Sequence, residues 1–223
     1  MTIPKILFQT WKNKNLSEDF KKYSETWKKH NPDFEYRFYT DIDIYKFIYI
    51  SYPQYIDLYE NLATIEKIDM FRYLVIHYHG GVYIDIDTEC INPIGPLLDL
   101  FENSIITGYE YNIPEQYLQW FIAAPKGCQT MIKLVEEIKW RSWFKLFKML
   151  SLSNDQIVLW FTGPVMYTYI LKKTNESVVV LDKGKLGSYD EKLTDRNSYL
   201  VHKFCGSWKY KLNILENNND KLL

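Results

Sequence analysis

The first hundred residues alternate between short apolar runs and longer amphipathic segments. Residues 3–10 are mainly apolar and predict a central strand of a parallel sheet, and residues 34–39 predict a second strand. Helices are predicted over residues 17–30, with Ser17 as the N-cap, over residues 40–50, and from Pro53 to residue 61. This alternation of strand and helix is typical of an α/β protein with a parallel sheet.

The next helix and strand carry the clearest pattern in the chain. An apolar stripe at near-helical spacing predicts a helix over residues 63–79, which ends at a pair of glycines. The apolar run that follows predicts a buried strand over residues 82–87. Because successive side chains of a strand point to opposite faces, Tyr83, Asp85 and Asp87 are expected on one face, with both carboxylates at the strand end.

Two carboxylates spaced one residue apart favour the binding of a divalent cation. When half buried and adjacent, Asp85 and Asp87 would raise the pKa of one carboxyl or destabilise the fold unless a positive charge lies nearby. Mg²⁺ and Mn²⁺ bind through one or two carboxylates together with substrate phosphates. The alternative is an exposed turn with two solvated aspartates, because a lone Asp-x-Asp is common by chance.

Asp69 and Arg72 lie three residues apart on the predicted helix and therefore neighbour each other on one face. They form either a surface ion pair, which contributes little to stability, or a pair that points into the cleft beside the two carboxylates. In the second case they would bind hydroxyls and a negatively charged ligand. The residues alone leave both interpretations open.

The second half of the chain is predicted to continue with short elements. Helices are predicted over residues 97–101 and from Thr162-Gly163-Pro164 to residue 173. Strands are predicted over residues 104–108, 118–124, 178–181 and 199–202, and residues 110–116 form a polar loop.

Residues 139–150 form a basic amphipathic segment. On a helix, Trp140, Trp143, Phe144 and Phe147 fall on one side, and Arg141, Lys145 and Lys148 fall on another. This pattern indicates either a helix at a membrane surface or a core-packing helix with a solvated basic face.

Composition and net charge exclude several classes of protein. A chain with 47% hydrophobic and 17% aromatic residues is not disordered, and a net charge of −1 gives no electrostatic footprint for nucleic acid. Cys90, Cys128 and Cys205 lack metal-ligand spacing and fit reduced thiols of a cytoplasmic protein. The N-terminal apolar run is too short for a signal peptide, and no run reaches the roughly 18 apolar residues of a membrane span. We therefore expect a soluble or peripherally membrane-associated protein.

The helix and strand with the two carboxylates resemble the donor-binding signature of DXD-type glycosyltransferases with the GT-A fold. The shared pattern is Ala63-x5-Asp69-x2-Arg72-Tyr73-x6-Gly80-Gly81-Val82-Tyr83-Ile84-Asp85-Ile86-Asp87. It is similar to glycosyltransferase family thirty-two, which includes yeast-type mannosyltransferases, and to the glucosylating clostridial toxins. The resemblance implies one α/β domain over residues 1–212, with a mixed, mainly parallel sheet flanked by helices. A nucleotide-sugar half (1–100) and an acceptor half (101–212) would precede a polar tail (213–223).

In these families the helix and the Asp-x-Asp motif share the binding of the donor. By resemblance, Asp69 and Arg72 hold the donor sugar, and Asp85 contacts the ribose and the sugar. Asp87 would bind the Mn²⁺ or Mg²⁺ that bridges the diphosphate. Asp69, Arg72 and Asp85 are therefore the expected catalytic residues.

Relatives end their catalytic domain with His-x4-Ser-Trp, a pattern that residues 202–208 match. The resemblance implies that His202 joins Asp85 and Asp87 as a metal ligand, while Ser207 and Trp208 contact the diphosphate. A neutral imidazole suits Mn²⁺ beside carboxylate and phosphate oxygens.

The resemblance also implies further donor contacts. The opening strand would deliver Gln9, Thr10 and Trp11 to the nucleotide base, with Trp11 either stacking on the base or packing as a core aromatic. Tyr83 and Thr162 complete the expected donor-binding set. Three positions differ from residues common in the family: Phe8 stands in place of His, Gln119 in place of Asn, and Cys128 in place of His. Acceptors would bind in the second half, near the loop over residues 110–116.

These expectations describe a retaining, metal-dependent glycosyltransferase that moves a hexose from a UDP- or GDP-sugar to a hydroxyl of a glycan or glycoconjugate. Two alternatives stay open. Residues 82–88 also match the opening Asp-x-Asp-x-Thr of haloacid-dehalogenase-type phosphatases, although residues 179–183 lack the acidic pair which that class needs. The other is a non-catalytic protein that binds sugar nucleotides or glycans, although the full set Asp69, Arg72, Asp85 and Asp87 argues against a decayed site.

Overall fold

A computed structural model describes residues 2–110, 113, 115–144, 153–187 and 197–205. The strands are β1 (Ile6–Thr10), β2 (Glu35–Tyr39), β3 (Gly81–Ile84), β4 (Thr88–Cys90), β5 (Ile105–Gly108), β6 (Phe121–Ala124), β7 (Val178–Leu181), β8 (Leu186–Gly187) and β9 (Leu200–His202). The helices are α1 (Glu18–His30), α2 (Asp41–Ser51), α3 (Ile56–Glu60), α4 (Thr64–His79), α5 (Gly95–Leu100), α6 (Gln129–Ser142), α7 (Asn154–Phe161) and α8 (Pro164–Leu171), and a 3-10 turn (Pro53–Tyr55) precedes α3.

A six-stranded sheet with the order β2-β1-β3-β6-β5-β7 lies at the centre. Strand β6 runs antiparallel to both of its neighbours, β3 and β5, whereas the other three pairs are parallel. The predicted mixed, mainly parallel sheet flanked by helices is therefore confirmed. A second sheet with the order β4-β9-β8 joins the segment after β3 to residues 197–205.

Alternating side chains of the central strands contribute to two hydrophobic cores. Phe8 and Tyr83 pack on one face with residues of α2, α4, α6, α7 and α8. Leu7 and Val82 pack on the other face with residues of α1 and α5. Both faces of the sheet are therefore covered, which is the usual environment of parallel strands.

The predicted helix boundaries at the start of the chain are confirmed. The Ser17 hydroxyl accepts a hydrogen bond from the backbone N–H of Phe20 at 3.2 Å and caps α1. Thr40 and Asp43 form a reciprocal capping box at the start of α2, with bonds of 3.3 and 3.0 Å. Helix α4 ends at Gly80, which has a φ of 69°.

The strand after α4 is shorter than predicted. It ends at Ile84, whereas the sequence pattern predicted a strand to Asp87. Thr88 turns the chain, because its backbone N–H and its hydroxyl both donate to the carbonyl oxygen of Asp85, at 3.3 and 2.6 Å. Both carboxylates therefore lie in a turn, and strand alternation does not set their directions.

The basic amphipathic segment is only partly as predicted, and residues 145–150 lie outside the described part of the chain. Trp140, Trp143 and Phe144 are 58%, 77% and 45% exposed. The placement of Arg141 on a solvated basic face is wrong: it is buried, pairs with a glutamate of α6 at 2.7 Å and donates to a carbonyl oxygen of α7. Among the described helices, none combines the length and the apolar character that crossing a bilayer needs.

Three elements have no counterpart in the prediction, and a fourth, α6, begins at Gln129, well before the predicted amphipathic segment over residues 139–150. Strands β4 and β8 have three and two residues, too few to show a periodic pattern. Both depend on pairing with β9, which is distant in sequence from β4. Helix α7 begins at a capping box formed by Ser153 and Gln156, directly after residues that lie outside the described part of the chain.

Gly80→Ala should destabilise the protein more than Gly127→Ala. Both glycines have a positive φ, so alanine is strained at either position. A Cβ at Gly80 would lie 2.5 Å from the backbone nitrogen of Lys126 and 2.6 Å from the ring of Pro4, whereas one at Gly127 meets nothing within 4 Å. Measured by urea unfolding, the free energy of unfolding should fall by about 1 kcal/mol in Gly127→Ala and by at least about 2 kcal/mol more in Gly80→Ala. Equal losses would contradict the close packing of Gly80 against Pro4 and Lys126.

Candidate active site

The candidate site lies at the carboxyl ends of β1 and β3, the edge where open α/β sheets bind ligands. Asp85 follows β3 directly, and the buried side chains of Asp69 and Arg72 come from α4. The β4–β9 pairing places His202 opposite Thr88. Side chains from distant parts of the sequence therefore meet at one site.

Arg72 and Asp69 form a buried ion pair. Both residues are 4% exposed, and Nη2 of Arg72 lies 3.0 Å from Oδ1 of Asp69. The same nitrogen lies 3.7 Å from Oδ1 of Asp85, and Nη1 donates to the carbonyl oxygen of Gln119 at 2.9 Å. The guanidinium also lies over the ring of Tyr83, 4.8 Å from its centroid. The alternative of a solvated surface pair is therefore excluded.

Thr162 joins the same cluster from the start of α8. Its hydroxyl donates to Oδ2 of Asp69 at 2.6 Å, and its carbonyl oxygen accepts from Tyr73 and from Gln119 at 3.1 and 3.0 Å. Burial raises the pKa of Asp69 to about 6, although the charge of Arg72 and the Thr162 hydroxyl both lower it. Asp69 is thus a carboxylate that is poorly solvated but well supplied with hydrogen-bond donors.

Asp85, Asp87 and His202 form the second part of the site. In the described part of the chain they are the group of ligand-type side chains that could hold a metal ion, with one donor atom each and all three within 4.8 Å of one another. Nε2 of His202 lies 3.0 Å from Oδ1 of Asp87, and the backbone N–H of Cys205 donates to Oδ2 at 2.9 Å. The side chain of Asp85 is 30% exposed.

The two carboxylates of the motif differ in their electrostatics. Burial raises the pKa of Asp85 above its usual value, an effect that Arg72 opposes and the charge of Asp87 reinforces. Burial acts on Asp87 as well, but the hydrogen bond and charge of His202 and the N–H of Cys205 together hold its pKa below the usual value. Asp87 is therefore the carboxylate that stays ionised over the wider pH range.

The residues present fit a divalent cation. Carboxylate oxygens are the ligands of hard cations such as Mg²⁺ and Mn²⁺, and His202 adds a nitrogen donor. A cation between Asp85 and Asp87 would also offset the repulsion between their charges. Nδ1 of His202 is buried and has no hydrogen-bond partner among the described residues.

The predicted base-contacting residues lie beside the motif, and Gln9 and Thr10 contact it from within the protein. Gln9 is fully buried; its Nε2 donates to the carbonyl oxygen of Asp85 at 3.1 Å, and its Oε1 accepts from Tyr36 at 2.7 Å. The hydroxyl of Thr10 lies 3.4 Å from that of Tyr83. These contacts hold the turn after β3 in place.

Trp11 and Phe8 have different surroundings although both belong to the opening segment. Trp11 is partly exposed and packs edge-on against Phe20, with ring centroids 4.8 Å apart. A shallow, open cavity of about 300 Å³ lies between the loop after Trp11 and the start of α2. Phe8 is fully buried and stacks on His79 at 5.8 Å, so the position where the family commonly has His faces the core.

The remaining residues are two predicted donor contacts, one position that differs from the family, and one residue that the sequence did not indicate. Ser207 and Trp208 lie outside the described residues. Cys128 is buried, and its thiol contacts Glu176 at 3.4 Å. Trp120 was missed: its ring stacks on His202 with centroids 4.7 Å apart. A single tryptophan before a short strand gives no sequence signal for that contact.

A family model supports these sequence observations. The model described as "Glycosyltransferase sugar-binding region containing DXD motif" matches residues 17–111. The matched segment contains Asp69, Arg72, Asp85 and Asp87, and it ends before His202.

The chain is also similar to curated yeast enzymes. A mannosyl phosphorylinositol ceramide synthase of Saccharomyces cerevisiae is 39% identical over 43% of this chain and 25% of its own length. An inositol phosphoceramide mannosyltransferase of Schizosaccharomyces pombe is 35% identical over 43% of this chain and 27% of its own length. The initiation-specific alpha-1,6-mannosyltransferase of Candida albicans is 26% identical over 74% of this chain and 51% of its own length. The chain therefore spans between a quarter and about half of these relatives.

Solved structures share the fold. The PaToxG glycosyltransferase superposes with a TM-score of 0.59 at 23% identity, over 77% of this chain and 70% of its own. A glycosyltransferase involved in the glycosylation of the major capsid of PBCV-1 gives 0.56 at 13% identity, over 90% and 92%. The UDP-bound glycosyltransferase domain of the YGT toxin gives 0.56 at 9% identity, over 81% and 80%. The predicted GT-A-type fold and the resemblance to DXD-motif glycosyltransferases are confirmed.

Asp69→Asn should change the pH dependence of stability. The pKa of Asp69 is about 6 in the folded protein and about 3.9 in an unfolded chain. The folded state therefore holds this proton more tightly, and ionisation of Asp69 removes stability as the pH rises through this window. Asparagine does not ionise, so between about pH 4 and about pH 7 the free energy of unfolding of the variant should rise by about 2 kcal/mol relative to wild type.

Urea unfolding across this pH range measures the difference, with Asp33→Asn as the matched control. Asp33 is exposed, and its hydrogen bond to Lys5 holds its pKa below the usual value. Its replacement should give no such rise. A difference between Asp69→Asn and wild type that stays constant with pH would contradict the buried, poorly solvated carboxylate.

Proposed function

Because residues 17–111 match the DXD-containing sugar-binding region and the fold is of the GT-A type, we propose that this protein is a metal-dependent glycosyltransferase. It would move a hexose from a nucleotide diphosphate sugar to a hydroxyl of a glycan or glycoconjugate. The observation that carries the proposal is the cluster of Asp85, Asp87 and His202, within 4.8 Å of one another and beside the buried Asp69–Arg72 pair.

We assign the divalent cation to Asp85, Asp87 and His202, with Mn²⁺ as the first ion to test and Mg²⁺ as the second. When bound, the cation would offset the negative charge that builds on the leaving diphosphate. Asp87 is held from two sides, by His202 and by the N–H of Cys205, which fixes the direction of its carboxylate. Asp85 is the more accessible carboxylate and would face the donor.

Arg72 and Asp69 would bind the donor sugar. Nε of Arg72 is buried without a hydrogen-bond partner among the described residues, so this donor is available to an oxygen of the ligand. The oxygens of Asp69 already accept from Arg72 and Thr162, but a carboxylate has about four lone-pair sites and can accept further hydroxyls. The pair would thus orient sugar hydroxyls without leaving its buried position.

Further donor contacts are proposed at both ends of the site. Trp11 and the neighbouring cavity would receive the nucleotide base, while Gln9, Thr10 and Tyr83 hold the motif and Arg72 in place. Ser207 and Trp208 would contact the diphosphate. The nucleotide-sugar half would extend to about residue 100 and the acceptor half would follow it.

The names of the relatives favour mannose as the transferred sugar, since those described above are mannosyltransferases or a mannosyl phosphorylinositol ceramide synthase. Retention of the anomeric configuration is proposed from the family resemblance. In the front-face mechanism usually proposed for such enzymes, the leaving phosphate accepts the proton of the acceptor hydroxyl. Asp69 and Arg72 would then orient the sugar rather than transfer that proton.

A lipid-linked acceptor is proposed from two observations. Two of the relatives are named for inositol phosphoceramide or phosphorylinositol ceramide. Trp140 and Trp143 are well exposed at the end of α6, next to Lys139, and exposed tryptophans with basic neighbours are typical of surfaces that lie at the headgroup level of a membrane. The end of α6 would therefore contact the membrane peripherally.

The two alternatives from the sequence have weaker support. A haloacid-dehalogenase-type phosphatase would leave the buried Asp69–Arg72 pair and the approach of His202 to Asp87 without a role. A non-catalytic binding protein with a decayed site is disfavoured because Asp69, Arg72, Asp85 and Asp87 are all present and meet at the site. Turnover measurements separate all three.

Asp87→Asn should abolish turnover of the donor. Release of nucleoside diphosphate is measured for GDP-mannose, UDP-glucose, UDP-galactose and UDP-N-acetylglucosamine, each with and without Mn²⁺. We expect wild type to release nucleoside diphosphate from one donor only when metal is present, and Asp87→Asn to be slower by a factor of at least about a hundred. Asp33→Asn is the matched control, because Asp33 is far from Asp87 in sequence and pairs with Lys5. Its rate of nucleoside diphosphate release should equal that of wild type.

Two results would count against the proposal. Hydrolysis of a phosphate monoester with Mg²⁺, in the absence of any sugar-nucleotide turnover, would favour the phosphatase. Metal-dependent stabilisation by a nucleotide without turnover of any donor would favour the binding protein.

Replacement of both tryptophans at the end of α6 should weaken membrane binding. The double variant Trp140→Ser and Trp143→Ser is compared with wild type by co-sedimentation with vesicles that contain anionic lipid. Each interfacial side chain adds apolar area to the bound state, so we expect at least about a tenfold loss in partitioning. Leu100→Ser is the matched control, because Leu100 is 72% exposed on α5. Equal partitioning of wild type and the double variant would contradict the proposed membrane contact.

A further inference from the structure

The imidazole of His202 lies between two aromatic rings. The indole of Trp120 stacks on one side, with ring centroids 4.7 Å apart and planes at 23°. The ring of Phe204 lies 4.0 Å away, tilted by 59°. Trp120 is 6% exposed and Phe204 is 42% exposed, so one ring belongs to the interior and the other to the surface. Such contacts restrict rotation of the imidazole about its side-chain bonds.

Trp120 is fixed to the rest of the site through its backbone. Its carbonyl oxygen accepts from the backbone N–H of Asp85 at 3.0 Å, and the carbonyl oxygen of the preceding Gln119 accepts from Arg72 at 2.9 Å. The next residue, Phe121, pairs with Ile84 across β6 and β3. The indole is therefore held by the same strand pair that ends at the Asp-x-Asp turn.

Phe204 adopts a backbone conformation that is rare for a bulky residue. Its φ is 47°, in the left-handed region where a side chain with a Cβ is strained. This conformation accompanies two contacts: the ring packs on His202, and the backbone N–H of the following Cys205 donates to Oδ2 of Asp87. Strain of this kind persists only where the surrounding structure compensates for it, and it is concentrated at functional sites.

We propose that Trp120 and Phe204 are positioning residues that clamp the imidazole of His202 between them. The clamp keeps Nε2 of His202 facing Asp87 and the metal. Neither ring supplies a metal ligand, so the clamp acts through His202. Residues that orient a metal-binding histidine usually contribute a factor of about ten to a hundred to metal affinity. This inference rests on the proposed function only for the presence of the metal.

The indole N–H gives the test a conservative variant. Nε1 of Trp120 is buried and has no hydrogen-bond partner among the described residues, so stacking does not depend on it. Trp120→Phe keeps an aromatic ring and removes this N–H, whereas Trp120→Leu removes the stacking. If stacking is the role, the phenylalanine variant should behave like wild type and the leucine variant should not.

The first readout is the dissociation constant for Mn²⁺, measured without donor by electron paramagnetic resonance on the full chain. We expect Trp120→Leu and Phe204→Leu to weaken binding by about tenfold or more, and Trp120→Phe to stay within about threefold of wild type. Phe34→Leu, a buried aromatic beside β2, controls for the general effect of removing a core ring. Wild-type affinity in Trp120→Leu, or a loss in Phe34→Leu or in Trp120→Phe as large as that in Trp120→Leu, would overturn the clamp.

The second readout is independent of the metal. Carbon-edited NMR resolves the imidazole signals of the four histidines, and His202→Asn identifies those of His202. Ring currents from Trp120 and Phe204 should shift these signals in wild type, and the shift should fall in each leucine variant. If wild type binds no Mn²⁺, the metal dependence in the proposed function is contradicted. The NMR measurement alone then tests the clamp. Signals of His202 that do not change in either leucine variant would overturn it.

Discussion

The site depends on the burial of one guanidinium. Arg72 is almost completely removed from solvent, and a buried charge of this kind is tolerated only when it is paired and hydrogen-bonded. Its partners come from three elements: Asp69 on α4, Asp85 after β3, and the carbonyl oxygen of Gln119 before β6. Because all three must reach the same group, α4, β3 and the start of β6 are held in one arrangement, and that arrangement forms the candidate site.

The two carboxylates of the motif are balanced by different parts of the chain. Asp85 lies near Arg72, whereas Asp87 is held by His202 and by the N–H of Cys205. Burial outweighs the charge of Arg72 at Asp85, so the pKa of Asp85 is raised, whereas the partners of Asp87 outweigh its burial, so the pKa of Asp87 is lowered. Asp87 is therefore firmly ionised and fixed, while Asp85 is the more exposed carboxylate. A cation that binds both would join the sheet to the segment that carries β9.

The sequence predicted the elements whose signals are local. Caps such as Ser17, the glycine stop after α4 and the spacing of Asp69, Arg72, Asp85 and Asp87 are all read within a few residues. What it could not supply depends on distant contacts. The carbonyl oxygen of Asp85 is held by Gln9 of β1, Arg141 is buried by its contact with α7, and Trp120 is significant only because β9 brings His202 onto its ring. The pairing of β9 with β4 has no periodic signal, so the position of His202 followed from family resemblance and not from the hydrophobic pattern.

Anomalous diffraction from crystals soaked with Mn²⁺ and a nucleoside diphosphate would locate the cation. If Asp85, Asp87 and His202 form the metal site, an anomalous peak should appear among these three side chains, with the diphosphate in contact with it and the β-phosphate, which carries the hexose in the donor, directed towards Arg72. A peak at another position, or a bound nucleotide with no anomalous peak beside Asp87, would contradict the metal site and with it the proposed mechanism.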